Sequence, residues 1–310
     1  MYSDLFLCNS TDQVSLSKAM TTQAILLLAT DLLVTVLTTV GNALFMFALC
    51  TDKSLHAPSN ALIGLLCASD LLVGFICQPL FLAHLSQLIM EYRIDGTQLN
   101  VLFTVLYNGS GVSFFFTILI SVDRYLAVCH PFKYHAKATY TKHLLVGISS
   151  GCLWTITFGS INYVQDDALV NTYVKITYSI SALSVVIFCY ASIYRVIRKQ
   201  RRNVITIGRI SRDEIETNVK RKREQDRSKT VAIIIGLIVI CYGPFFIVKI
   251  LGMFQSSFCW NSANDYSKSI WTAFCILLNS LFNPIVYFVR SKEFSSSLRR
   301  KFRRCYSQTC

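Results

Sequence analysis

The sequence predicts an all-α membrane protein: a seven-transmembrane helix bundle followed by a short amphipathic C-terminal helix. Three observations carry that prediction. Hydrophobic residues make up 53% of the 310 and charged residues only 15%, whereas a soluble globular chain carries roughly 25% charge. The apolar residues gather into seven long stretches separated by short polar segments, and a helix of about 20 residues crosses the hydrocarbon core of a bilayer. The basic residues gather between stretches: thirteen of the 30 Lys and Arg fall in Arg195 to Lys229, seven in Arg290 to Arg304, four in Arg124 to Lys142 and one at Lys53. With the N-terminus outside, all of these lie on or beside cytoplasmic segments, as the positive-inside rule requires. The net charge of +13 therefore reads as an orientation signal and not as a nucleic-acid footprint.

Residues 1–19 form an extracellular N-terminus, 20–289 the bundle, and 290–310 an amphipathic helix and cytoplasmic tail. Met1 to Lys18 has neither a basic n-region nor a continuous apolar run, so the first span serves as its own signal. Asn9-Ser10-Thr11 is a glycosylation acceptor on the outer side, while Asn108-Gly109-Ser110 falls within a span. The spans run approximately 20–50, 57–86, 98–131, 140–164, 172–199, 226–254 and 266–289. The first carries Asp31 and Asn42, the second Asp70 and Pro79, and the third the run Phe114-Phe115-Phe116. The fourth contains Gly147-x-x-x-Gly151, small residues that admit a neighbouring helix, and Trp154. Pro79, Pro244 and Pro284 remove backbone donors within helices and should kink them.

After the seventh span, Phe294, Leu298 and Phe302 recur every four residues among arginines. This is the pattern of a helix lying on an anionic leaflet, which makes membrane lipids a partner. Cys305 and Cys310 beside it are candidate palmitoylation sites. Most of the twelve cysteines fall inside spans as small apolar residues. Cys8 and Cys259 lie outside and form either one disulfide or two free thiols.

Gly41-Asn42, Leu66 with Asp70, Asp123-Arg124-Tyr125 followed by Pro131, Trp154, Cys241-Tyr242-Gly243-Pro244 and Asn283-Pro284-Ile285-Val286-Tyr287 occur in that order, each in its expected span. The set resembles the rhodopsin-like (class A) G-protein-coupled receptors over nearly the whole chain. The resemblance implies a plasma-membrane receptor that activates a heterotrimeric G protein and performs no catalysis. It also implies roles. Arg124, held by Asp123 and Glu224, is the switch and G-protein contact next to Tyr125. Tyr190 and Tyr287 swing inward on activation, and Asn283 and Pro284 belong to the same machinery. Asp70, Ser113, Asn279 and Asn283, with Asn42 and Ser280 nearby, match positions that hold an allosteric sodium ion. Such a carboxylate, hydroxyl and amide set suits a hard cation, although a purely structural polar cluster is the alternative. No other cofactor is expected.

Several positions depart from the pattern. Leu99 stands where relatives carry the cysteine that bridges to the second outer loop, Ala182 where the fifth helix usually has proline, and Tyr242 where a tryptophan is usual. Lacking the bridge and that proline, the chain resembles melanocortin receptors and, more loosely, lipid and adenosine receptors. Leu80, Leu99 and Phe103 replace the melanocortin acids. Leu106 replaces the aspartate that pairs with amines, so a non-aminergic ligand, a lipid, a peptide or another small molecule, is expected. Leu106, Tyr107, Ser110, Tyr178, Tyr242, Phe245, Phe246, Ala273 and Leu277 line the expected pocket. Lys249 either faces that pocket or snorkels. The alternatives are a receptor-like chaperone or dimer partner without its own ligand and, from another class, a seven-span transporter, which an absent internal repeat opposes.

Overall fold

Long apolar runs without interior breakers, except where proline intervenes, dictate long helices, and the computed structural model is built from helices throughout. It describes residues 18–90, 96–164, 168–206, 233, 236, 237, 239–251, 263–290 and 292–309. Asn9, Cys8, Glu224, Cys259 and Cys310 lie outside the described residues, and the Cys305 side chain is likewise not among them.

In chain order the helices are α1 (Lys18–Thr51), α2 (Pro58–Leu72), α3 (Gln78–Ile89), α4 (Gly96–Cys129), α5 (Pro131–Lys137), α6 (Tyr140–Val164), α7 (Ala168–Thr206), α8 (Val239–Leu251), α9 (Ala263–Arg290) and α10 (Lys292–Thr309). Among the described residues, five stretches are long and apolar enough to cross a membrane: Met20–Thr51, Pro58–Ile89, Val101–Cys129, Ile176–Lys199 and Tyr266–Val289. Helices α6 and α8 occupy the places of the fourth and sixth spans. The protein is a multi-pass membrane bundle, and its many lipid-facing side chains, such as Leu33, Phe75, Leu153 and Ile240, are exposed in the isolated chain.

The second span is where proline acts, though not as a simple kink. Val73–Cys77 forms a π-helical turn between α2 and α3, and Pro79 falls in the first turn of α3, directly after it. The wider turn reorients the outer part of this span before the proline is reached. It also sets Gly74 against α1: a Cβ there would lie 2.7 Å from Thr39 Oγ1. The two small residues of the fourth span serve two different neighbours. Gly147 admits Leu65 and Leu62 of α2, and Gly151 admits the Phe116 ring of α4.

The core separates into two clusters along the bundle. One, toward the Arg124 end, includes Phe45, Leu66, Phe114, Ile120, Tyr287 and Phe294. The other, toward the Tyr266 end, includes Leu27, Phe81, Phe103, Leu106, Ile270 and Leu277. Helix α10 turns back onto the first cluster. Phe294 stacks on Phe45 with centroids 4.0 Å apart, and Leu298 is buried beside it while Arg299 and Arg300 face outward.

Candidate functional site

Three polar layers cross the apolar bundle. The first, at the basic end, centres on Asp123, which is 5% exposed. Its Oδ2 accepts from Nε and Nη2 of Arg124, the former at 3.0 Å. Its Oδ1 accepts from the Tyr134 hydroxyl at 2.8 Å and faces His143 Nε2 at 2.8 Å. A carboxylate that collects a guanidinium, a phenol and an imidazole tolerates burial, because its lone pairs are used and its charge is matched. The tripeptide makes Asp123 and Arg124 visible in the sequence. Tyr134 and His143 were missed, since they come from α5 and α6 and no local pattern ties them to Asp123.

The second layer lies midway. Asp70 and Asn283 are brought together, with Asn283 Nδ2 donating to Asp70 Oδ2 at 2.7 Å. Ser113 Oγ is 3.0 Å from Ser69 Oγ, and Asn42 donates to the Thr38 and Ser280 carbonyls at 3.0 and 3.1 Å. Among the described residues, the second oxygen of Asp70, the Asn42 side-chain oxygen and the Asn279 amide are buried without a hydrogen-bond partner. The buried Tyr190 and Tyr287 hydroxyls also lack one among the described residues, and Tyr287 packs on Phe45. Pro284 packs against Gly41, where a Cβ would come within 3.0 Å of its ring.

The third layer contains the residues expected to line a ligand pocket, and they pack into two groups. Tyr242 reaches across to α4, where its hydroxyl donates to the Ser110 carbonyl at 2.7 Å, and its ring lies against Phe114. Tyr107 meets Phe245 at 4.9 Å between centroids, and Phe245 meets Phe246. Trp154 Nε1 donates to the Tyr178 hydroxyl at 2.8 Å. Lys249 Nζ sits 5.9 Å from the Phe245 ring centroid, within cation–π range. Leu106, Ala273 and Leu277 belong to the other core cluster, with Phe103 and Phe274. Near the same end, Tyr266 of α9 bonds His84 of α3, a cross-helix pair with no signature in the sequence.

Outside the spans, Asp52 was also missed. It caps the turn after α1 through Ser54 and receives Ser297 and Arg300 of α10, the latter at 3.1 Å. Hydrogen bonds from the Ser297 and Ser54 hydroxyls, aided by the Arg300 charge, hold its carboxyl well below the usual carboxylate range.

An arginine beside an acid at one end, a buried Asp70–Asn283 layer and a last long span with Pro284 inside it match a known architecture. The family model described as "7 transmembrane receptor (rhodopsin family)" matches residues 41–161 and 159–287. The chain belongs to this family. It is a non-enzymatic, membrane-embedded receptor of the G-protein-coupled class. Similar receptors include trace amine-associated receptor 1 of Macaca mulatta, 25% identical over 287 residues that cover 82% of this chain and 81% of that one. The human trace amine-associated receptor 1 is also 25% identical, over 82% of this chain and 80% of its own. Trace amine-associated receptor 13c of Danio rerio is 27% identical, over 84% of this chain and 80% of its own.

This finding overturns the non-aminergic expectation drawn from Leu106. Receptors named for trace amines match this rhodopsin-family chain over most of its length, so one missing aspartate on the third span was too narrow a basis for excluding amines. Asp31, Asp70 and Asp123 are buried acids elsewhere in the bundle.

Proposed function

We propose that this receptor sits in the plasma membrane with its N-terminus outside and its C-terminus in the cytoplasm, and that an extracellular amine of the trace-amine class drives it to activate a heterotrimeric G protein. The observation that carries the reading is the similarity to trace amine-associated receptors over more than four-fifths of the chain. It is supported by the buried Asp123–Arg124 pair at the basic end. The placement of positive charge supports the orientation. In this reading Arg124 exchanges Asp123 and Glu224 for the G protein, while Tyr190 and Tyr287, whose hydroxyls are buried and have no hydrogen-bond partner among the described residues, supply the new contacts of the active state. The aromatic layer of Tyr107, Tyr242, Phe245 and Phe246 receives the apolar body of the ligand.

The middle layer is the seat of an allosteric sodium ion in this proposal. The unpartnered oxygens of Asp70, Asn42 and Asn279, next to Ser113, form a donor set suited to a hard cation. Sodium and agonist then favour different states, and linkage makes the coupling reciprocal. Asp70→Asn should remove the sodium dependence of agonist potency at normal surface expression, and unchanged dependence would assign the layer to packing.

The test of the main reading is a concentration series of primary arylalkylamines on cells expressing only this chain, read through a promiscuous G-protein reporter. A saturable response absent from untransfected cells is expected. Silence to the whole series, with the receptor at the surface, would favour a receptor-like partner without its own ligand.

A further inference from the structure

Asp31 is the one buried acid among the described residues that nothing above uses. Its side chain is 0% exposed, and neither carboxylate oxygen has a hydrogen-bond partner among the described residues. It lies on the inward stripe of α1 with Leu27, Val34, Thr38 and Asn42, all buried. Gln78 of α3 is in the same condition: fully buried, with both amide atoms unpartnered.

Contacts along α1 fix the depth of both. Near its start, Gln23 Oε1 accepts from Ser267 Oγ and from Trp271 Nε1 of α9; further along, Asn42 donates to the Ser280 carbonyl. Asp31 therefore runs alongside α9 between Trp271 and Ser280, the stretch that holds Ala273 and Leu277. On the other flank, Thr39 abuts Gly74. Gln78 is one helical turn beyond Gly74, and α1 runs antiparallel to this span, so Gln78 reaches the level of Thr35, one turn from Asp31. The neighbouring Cys77 thiol donates to the Val105 carbonyl at 3.6 Å, which places this level beside Leu106. Sequence and geometry thus bring an unpaired carboxylate and an unpaired amide to the depth of Leu106, Ala273 and Leu277.

We infer that Asp31 and Gln78 form the cation subsite of this receptor: Asp31 is the counter-ion of a ligand ammonium, and the Gln78 amide accepts one of its N–H bonds. The inference rests on the amine reading above and names the group that serves it. A carboxylate buried in hydrocarbon without a partner is costly. Of the ligand classes open to a receptor, a protonated amine removes that cost most directly, by supplying the opposite charge and the donors together. The core cluster around the flanking Leu27 and Val34 also contains Phe81, Phe103 and Phe274, apolar and aromatic walls that strengthen an ion pair by excluding water.

The test uses the full chain in cells, with 2-phenylethylamine as the probe and 2-phenylethanol as its neutral counterpart, and with surface receptor measured in parallel. The wild type should respond to the amine and not to the alcohol. Asp31→Asn should lose potency for the amine by about 30-fold or more, the scale of removing one partner of a desolvated charge pair, whereas Asp31→Glu should keep most of it. Should Asp31→Asn fail to reach the surface, Gln78→Leu carries the test, with a loss of about 10-fold expected. A responsive wild type whose Asp31→Asn potency is unchanged, or whose Gln78→Leu potency is unchanged where that variant carries the test, overturns the subsite and leaves the amine reading standing. A wild type silent to the amine overturns both.

Discussion

Asp123 and Asp31 are both buried acids in an apolar bundle, and their surroundings could hardly differ more. Asp123 is met by Arg124, Tyr134 and His143, while neither carboxylate oxygen of Asp31 has a hydrogen-bond partner among the described residues. An acid whose needs are filled from within holds the helices α4, α5 and α6 in one arrangement. An acid left unfilled holds nothing by itself and gains its partner from outside the chain. The contrast separates the proposed switch, whose partners the fold supplies, from the proposed ligand site, whose partner it does not.

The largest effect expected from breaking the filled side comes from Arg124→Ala. If Arg124 acts as both switch and contact, as proposed, G-protein activation should fall by about 100-fold or more while amine binding persists. Radioligand binding and reporter output measured on the same membranes check this, and full coupling in the variant would refute the role. Next is Gly111→Leu. A Cβ at Gly111 would already lie 2.4 Å from Trp154, so a larger side chain must displace the indole and its bond to Tyr178, at a cost of about 1–3 kcal/mol. A lower unfolding temperature of the purified receptor would register it.

Tyr134→Phe removes a single hydrogen bond from Asp123. It should loosen the resting network by about 0.5–1.5 kcal/mol; 1 kcal/mol is roughly a fivefold change in a two-state ratio. Ligand-free signalling per surface receptor should rise accordingly, and an unchanged basal level would make Tyr134 a bystander. The smallest effect belongs to Arg300→Ala, since its ion pair with Asp52 is open to solvent and such pairs contribute about 0–1 kcal/mol. The depressed Asp52 carboxyl gives that contact a pH sign. Its stabilisation is complete above the ordinary carboxylate range, near pH 4 for an unfolded chain, and is lost as pH falls toward the lower folded value. Spin-label distances between α1 and α10 should therefore hold from neutral pH down through that range and lengthen only at stronger acidity.

Much of this architecture was legible in the sequence because membrane spans are written locally. Twenty apolar residues in a row need no partner to be recognised, and Asp123-Arg124 or Asn283-Pro284 announce themselves within two positions. What could not be read was pairing across helices. Tyr134 and His143 reach Asp123 from separate elements, Ser297 reaches Asp52 across more than 200 residues, and Tyr266 finds His84 only once α3 and α9 are packed. The π turn at Val73–Cys77 was also invisible, since proline marks a bend without saying how the preceding turn absorbs it. The ligand class was misjudged for a related reason. Leu106 is an absence at one position, whereas Asp31, an acid within the first span, acquires meaning from its depth beside Gln78, Ala273 and Leu277.

The most direct measurement of the contrast is thermal unfolding of the purified receptor with increasing 2-phenylethylamine, for the wild type, Asp31→Asn and Arg124→Ala. A ligand that binds the folded state raises its unfolding temperature by mass action. The account predicts that the amine stabilises the wild type and Arg124→Ala alike and that Asp31→Asn needs about 30-fold more amine or greater for the same rise. Equal stabilisation of Asp31→Asn and the wild type would contradict it.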